Sequence, residues 1–338
     1  MKIAIIVDDS RVNYLPGEEG LNEDLQKRRT VKDLKEAISK CFECIVLKAD
    51  KDILSKLRKE KVDLVFNLCN GIRGKSKLAQ IPALLEFIGI PYTGSSILGH
   101  ALAINKNYAC KLFKSYGIPT PEYICIFDTD DLKQLEYNKR IKYPLLIKPC
   151  DEGSGRGIHQ DSLVHDKYTL VKKVKQCLET YNPPIMITEY IDGREFTVGV
   201  LGNDKNLEVL PILEISFENL PKNLAKFYSF EVKSYHEDKT VFKCPAPLDD
   251  ELKTKIQYAA KRAYKALGIR DYARVDLRLK DDIPYVLEIN SIPGLQKGYS
   301  DITKMADACG LGYEGLIHKI IEITMSRSRP VILETKVI

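Results

Sequence analysis

The sequence predicts an α/β protein in three units: an N-terminal doubly wound parallel sheet, a small central α+β unit and a C-terminal α+β unit. Three observations carry that expectation. The chain has 338 residues, too many for one simple core. Apolar strands alternate with helical stretches through residues 1–94, the pattern of a right-handed parallel sheet. The late stretch from Ala273 to Gly294 reads as two alternating strands joined by a tight turn.

Ile3-Ala4-Ile5-Ile6-Val7 is a continuous apolar run, so residues 2–7 form a fully buried strand. Asp8 to Gly20 is polar, carries Pro16 and Gly17, and reads as a loop. Val31, Leu34 and Ile38 give helical spacing from Arg29 to Lys40. Further strands at Ile45–Leu47 and Val62–Asn67 flank a short helix marked by Ile53, Leu54 and Leu57. This first unit, 1–94, closes at Pro91-Tyr92-Thr93-Gly94. Leu98 to Tyr116 reads as one helix containing Lys106, stopped by Gly117-Ile118-Pro119. Strands at Tyr123–Phe127 and Pro144–Lys148 and a helix at Tyr168–Thr180 complete the central unit, 95–184. The C-terminal unit, 185–330, begins with the stretch Ile185–Leu201. It holds a polar, mobile-looking segment (Phe217–Pro247), a helix from Asp249 to Leu267, the hairpin, and a closing helix from Leu311 to Met325.

Composition narrows the function classes. The chain is 44% hydrophobic and 29% charged, ordinary for a soluble globular protein. Its 52 basic and 47 acidic side chains leave +5, which suits small anions but forms no nucleic-acid stripe. No apolar run reaches membrane-spanning length, and Met1-Lys2 leads into a run too short for a secretory core. Nine cysteines, an odd count, point to reduced thiols and a cytoplasmic setting. Cys41 and Cys44 form a lone CxxC without a second pair and read as two half-buried thiols. Gly71 to Ser76 suggests a phosphate loop, but Cys69 stands where the Walker pattern requires glycine.

In the hairpin, Val275, Leu277 and Leu279 alternate with Arg274, Asp276 and Arg278, and Leu287 and Ile289 alternate with Val286, Glu288 and Asn290. Asp281, Asp282 and Pro284 supply the turn. With a side-chain period of two, pairing Asp276 opposite Glu288 would converge two carboxylates, an amide oxygen and a guanidinium on one patch. Such oxygen ligands suit Mg²⁺. The competing reading is a surface hairpin with a charged outer face. Lys148 ends an apolar strand directly before the glycine-dense loop Asp151 to Gly157, whose backbone N–H groups could face phosphate oxygens. For that loop, and for Lys106 on its helix, ordinary surface chemistry is the alternative.

Taken in order, Lys106, Ile147-Lys148-Pro149, the glycine loop, Glu189-Tyr190-Ile191, Arg194-Glu195, Arg274-Val275-Asp276 and Leu287-Glu288-Ile289-Asn290 resemble the ATP-grasp superfamily, and within it the D-alanine–D-alanine ligase branch. Ile90 to Ser95, Glu152-Gly153-Ser154 and Cys244-Pro245-Ala246 extend the likeness, which holds from about residue 62 to 325. The resemblance implies a three-domain ATP-grasp fold. It also implies an ADP-forming carboxylate–amine ligase that works through an acyl phosphate on amino acid or small peptide substrates. By position, Lys106, Lys148 and Lys233 would contact the ATP phosphates. Glu189, Tyr190 and Ile191 would line the adenine pocket, and Glu195 would take the ribose hydroxyls. Asp276, Glu288 and Asn290 would hold two Mg²⁺ ions, with Mn²⁺ as an alternative. Arg274 would stabilise the tetrahedral oxyanion, and Ser154 is the loop serine of the catalytic set. A homodimer is open.

Departures fall on the amino-acid side. Asp8 to Gly17 lacks the glutamate that holds the first ammonium in the branch, and Ser234 and Tyr299 stand where a tyrosine and a serine are expected. A ligase joining an amino acid to a different small carboxylate, a phosphotransferase and a non-catalytic ATP-binding protein therefore remain as alternatives.

Overall fold

The computed structural model describes residues 1–10, 19–71, 74–137, 141–153, 155–181 and 183–328. Its strands form three sheets, and the central and large sheets enclose the candidate site.

The first sheet pairs β1 (Lys2–Val7) in parallel with β2 (Glu43–Lys48) on one side and β3 (Leu64–Asn67) on the other. Alternation along β1 sends Ile3 and Ile5 to one face and Ala4 and Ile6 to the other. Ile3 and Ile5 pack with Leu34 and Ile38 of α1 (Glu19–Ile38). Ala4 and Ile6 pack with α2 (Ile53–Glu60) and α3 (Gln80–Ile88) through Ile53, Leu57 and Leu85. Both faces are covered, which is why β1 reads as an unbroken apolar run.

Helix α1 departs from the expected span, beginning at Glu19 rather than Arg29. Its first half has no apolar stripe because it faces a polar cleft instead of the core. The single helix expected over Leu98–Tyr116 is two: α4 (Ile97–Ile104) and α5 (Lys106–Ser115). Asn105 adopts φ −94, ψ 96 and its side chain accepts from the Tyr108 N–H, so it caps α5. A cap of this kind contributes about 1 kcal/mol, and it sets Lys106 on the first turn.

The central sheet has the order β4 (Tyr123–Ile126), β7 (Ile185–Glu189), β5 (Leu145–Pro149), β6 (Leu163–Val164). Short α6 (Gln134–Tyr137) lies between β4 and β5 in the chain, and α7 (Lys167–Thr180) covers the sheet through Leu170, Val174 and Cys177. Since β7 is an inner strand here, paired with β4 and β5, the central sheet runs past the boundary expected at residue 184.

The large sheet runs β11 (Val241–Lys243), β10 (Leu213–Ser216), β8 (Arg194–Leu201), β12 (Tyr272–Lys280), β13 (Ile283–Asn290), with β9 (Glu208–Val209) beside β8. One face packs on α9 (Asp250–Ala266) and on Ala109 and Phe113 of α5. The other meets α10 (Asp301–Ala308) and α11 (Gly312–Arg327), which continue into the core of the first sheet. The segment 217–247 is packed: Phe217, Phe227 and Val232 are buried, and α8 (Phe230–Tyr235) lies within it.

Candidate active site

The hairpin lies as its polar pattern requires. Asp281 and Asp282 hold φ of 50° and 59°, the left-handed pair of a tight two-residue turn that aspartate tolerates. Pro284, expected in that turn, instead lies in β13 opposite Leu279. β13 is an edge strand of the large sheet, where the missing N–H costs no ladder bond.

Asp276 pairs in register with Glu288, and Arg274 with Asn290, so all four side chains share one face. A bulge between Asp276 and Leu277 shifts the alternation. As a result Val286 is buried in the core while Leu287 lines the cleft, the reverse of the sequence expectation. Arg274 grips Asp276 with both oxygens, Nε to Oδ1 and an Nη to Oδ2, each at 2.8 Å. The Thr197 hydroxyl donates to Oδ1 at 2.6 Å, and the Asn290 amide donates to Oδ2 at 2.8 Å.

Lys148 on β5 and Lys106 on α5 approach from the opposite wall, both buried. The Lys106 backbone N–H donates to the Cys150 carbonyl at 2.9 Å, which ties the start of α5 to the end of β5. Its ammonium lies 3.4 Å from Glu288 and also bonds the Glu152 carbonyl. Burial alone would raise the Glu288 carboxyl, but Lys106, Lys148 and Arg274 outweigh it and hold the group at about 2. Glu288 is thus ionised at neutral pH. Burial pushes the Lys148 ammonium down against the pull of Glu288. A ligand with several negative oxygens would relieve the crowding of the two lysines.

At one end of the cleft Tyr190 and Ile191 follow β7, and Glu189 accepts from the Lys142 N–H at 3.1 Å. Arg278 organises this end. Its guanidinium lies 4.7 Å from the Tyr190 ring centre, donates to the Ile191 carbonyl at 2.8 Å, and bonds Glu195 at 3.0 and 2.7 Å. At the other end are Lys233 on α8, Tyr228, Tyr299 and Asp301. The cavity between the ends is about 220 Å³.

Twelve positions were expected to form the site, and eleven of them lie in or beside this cleft: Lys106, Lys148, Glu189, Tyr190, Ile191, Glu195, Lys233, Arg274, Asp276, Glu288 and Asn290. Ser154 lies outside the described residues, as do residues 11–18 of the departing N-terminal segment and Ile72 and Arg73 of the suspected phosphate loop. In the glycine loop, the N–H groups of Arg156 and Ile158 bond the loop's own carbonyls of Gly153 and Gly155 at 3.1 Å each. Those two are therefore not aimed at a ligand. Sequence reasoning missed the contribution of α1. Gln26 donates to the Tyr299 hydroxyl at 3.1 Å, Asn22 reaches Ser234 at 3.5 Å, and Glu23 pairs with Arg156. The polar i, i+4 spacing of Asn22 and Gln26 was the available signal.

Among the described residues no three His, Cys, Asp or Glu side chains converge as a metal cage. Asp276 and Glu288 with the Asn290 amide nonetheless fit Mg²⁺, which takes one or two carboxylates and completes its shell with substrate phosphates and water. No helix among the described residues is long and apolar enough to cross a membrane.

Residues 112–322 match the family described as D-ala D-ala ligase C-terminus. A D-alanine–D-alanine ligase from Carboxydothermus hydrogenoformans is 36% identical over 290 residues, covering 84% of this chain and 88% of that protein. The chain belongs to the D-alanine–D-alanine ligase family. An uncharacterised Sinorhizobium fredii protein is 35% identical over 305 residues, covering 86% of each chain. The crystal structure of a Bacillus anthracis D-alanine–D-alanine ligase complexed with ATP superposes with a TM-score of 0.73 at 26% identity, over 97% of this chain and 98% of that one. The VanG D-Ala:D-Ser ligase of Enterococcus faecalis gives the same TM-score and identity, over 96% and 99%. The fold is therefore ATP-grasp, and the chain is an ATP-dependent ligase of the D-alanine–D-alanine ligase type.

Proposed function

We propose that this ligase joins a carboxylate to an amine through an acyl phosphate. A carboxylate oxygen of the first substrate attacks the γ-phosphorus of ATP, the bond to the bridging oxygen breaks, and ADP departs. The amine of the second substrate then attacks the acyl carbon, inorganic phosphate leaves, and the nitrogen loses a proton as the amide forms. Lys106, Lys148 and Lys233 neutralise the phosphates. Glu189, Tyr190 and Ile191 seat the base, and Glu195 holds the ribose. Arg274 faces the negative charge that develops on the acyl oxygen, where a fixed cation acts most strongly. Asp276, Glu288 and Asn290 would hold two Mg²⁺ ions, or Mn²⁺, which supply charge neutralisation and in-line alignment of the phosphates. Residues 217–247 and the glycine loop would keep water from the acyl phosphate.

One observation carries this reading. The β12–β13 register delivers two carboxylates to the same cleft as Lys106 and Lys148. The substrates are amino acids or small peptides. The Gln26–Tyr299 and Asn22–Ser234 contacts favour a second reading, in which one partner is a different small carboxylate. Buried polar groups rebuilt in this way discriminate strongly between substrates. Nine free cysteines support a cytoplasmic setting. The homodimer expected of the branch belongs to the proposal and is tested by sedimentation velocity.

The deciding experiment is phosphate release from ATP, screened over L- and D-amino acids and dipeptides, with mass spectrometry of the products. Release that depends on an added amino acid, with an amide product, is expected. Nucleotide binding without such release would overturn the reading. Hydroxylamine trapping in place of an amide would assign a phosphotransferase.

A further inference from the structure

Asp276 has no lone pair to spare. A carboxylate offers about four acceptor directions, two on each oxygen. Oδ1 accepts from Thr197 and from Arg274 Nε; Oδ2 accepts from Arg274 Nη and from Asn290. A cation can reach this carboxylate only if a donor leaves.

The three donors differ in what leaving would cost. Thr197 is buried and is the register partner of Asp276 on β8, so its hydroxyl would be stranded. The Asn290 amide also donates to Glu288, at 3.3 Å, and rotating away would break both bonds. Arg274 is the one cation of the three, and a nitrogen that Asp276 does not use already touches another carboxylate. Its free Nη lies 3.3 Å from Asp301 Oδ2, in the first turn of α10. The Asp301 side chain is 12% exposed, and Lys304 beside it stands off at 4.0 Å. Arg274 can therefore exchange one carboxylate for another without becoming a buried unpaired charge.

We infer that Arg274 is a two-position gate on the metal site: it caps Asp276 in one position and transfers to Asp301 in the other, which frees Asp276 for a divalent cation. Asp301 is then a positioning residue acting through Arg274. The transfer also draws the guanidinium along the cleft toward Tyr299 and Ser300, the end away from Tyr190. This inference rests on the metal-holding role proposed above.

The test is Mn²⁺ affinity of the full-length protein with ADP present, read from the paramagnetic resonance signal of free Mn²⁺. Asp301→Asn should weaken binding on the order of tenfold, the scale of one lost charge-assisted partner. In an Arg274→Ala background the same substitution should change affinity by no more than about twofold, because no gate remains to be held open. Asp301→Glu should recover most of the wild-type affinity. Unaltered affinity in Asp301→Asn, or an equal loss in both backgrounds, overturns the gate. Asp276→Asn separates the two layers. If it weakens Mn²⁺ binding while Asp301→Asn does not, the metal site stands and the gate falls. If it has no effect, the metal site falls and the gate with it. Unfolding midpoints measured for each variant identify any loss that comes from misfolding, and Asp301→Ser, which also removes the charge and should weaken binding to the same extent, carries the test if Asp301→Asn does not fold.

Discussion

Arg278 and Glu195 are register partners on neighbouring strands, and the guanidinium turns back onto the carboxylate through two nitrogens at 3.0 and 2.7 Å. Both side chains are nearly out of water, at 3% and 12% exposure. Arg278→Met would leave a buried carboxylate without its cation, and should destabilise the protein by about 3 kcal/mol. A urea unfolding midpoint measures this. The double variant with Glu195→Gln should recover much of the loss, and a single-variant midpoint equal to wild type would refute the buried pair.

The opposed carboxylates carry the second prediction. Asp276→Asn and Glu288→Gln should each lower amino-acid-dependent phosphate release by at least about a hundredfold, the scale of losing one preorganised electrostatic group. Full turnover in either variant would refute the metal assignment.

His100 predicts a pH dependence of stability. It is wholly buried, with Nδ1 2.8 Å from the Ser291 hydroxyl, directly after Asn290. Burial, with Arg270 adding, lowers it from 6.5 to about 3. Above pH 6.5 folded and unfolded chains both carry it neutral, so it has no effect there. Between 6.5 and 3 the unfolded chain binds the proton and the folded one does not, so stability falls as pH falls. The loss by pH 5 is about 2 kcal/mol. His100→Gln should flatten that part of the profile, compared by denaturant titrations at pH 7.5 and 5.

Gly193 lies in the turn between Ile191 and Glu195, and a Cβ there would sit 2.1 Å from the Leu279 carbonyl oxygen. Because that neighbour is backbone, a strand must move. Gly193→Ala should destabilise by about 2 kcal/mol and weaken ATP binding, read by thermal melting with and without nucleotide. Unchanged melting in both conditions would mean the turn relaxes freely.

The hairpin's share of the site was legible from residue spacing, since the period of two along β12 and β13 constrains which side chains can share a face, and the remaining positions came from the family resemblance. The bulge after Asp276 was not legible. No local residue type announces it, so the facing of Leu287 came out inverted. The early start of α1 was hidden because its first turns carry no apolar stripe. The stripe was missing because Asn22, Glu23 and Gln26 face the cleft.

Periodicity and local backbone preference carried the α/β class and the hairpin with its Asp-Asp turn, while the resemblance to the ATP-grasp superfamily supplied the roles of the lysines, glutamates and metal-type ligands. Tertiary structure alone decided that β7 belongs to the central sheet, that Arg278 serves Glu195, and that Gln26 reaches Tyr299. It also decided that Arg274 stands between Asp276 and Asp301. Each of these joins elements far apart in the chain, and such pairings depend on how whole sheets and helices pack rather than on any neighbouring residue.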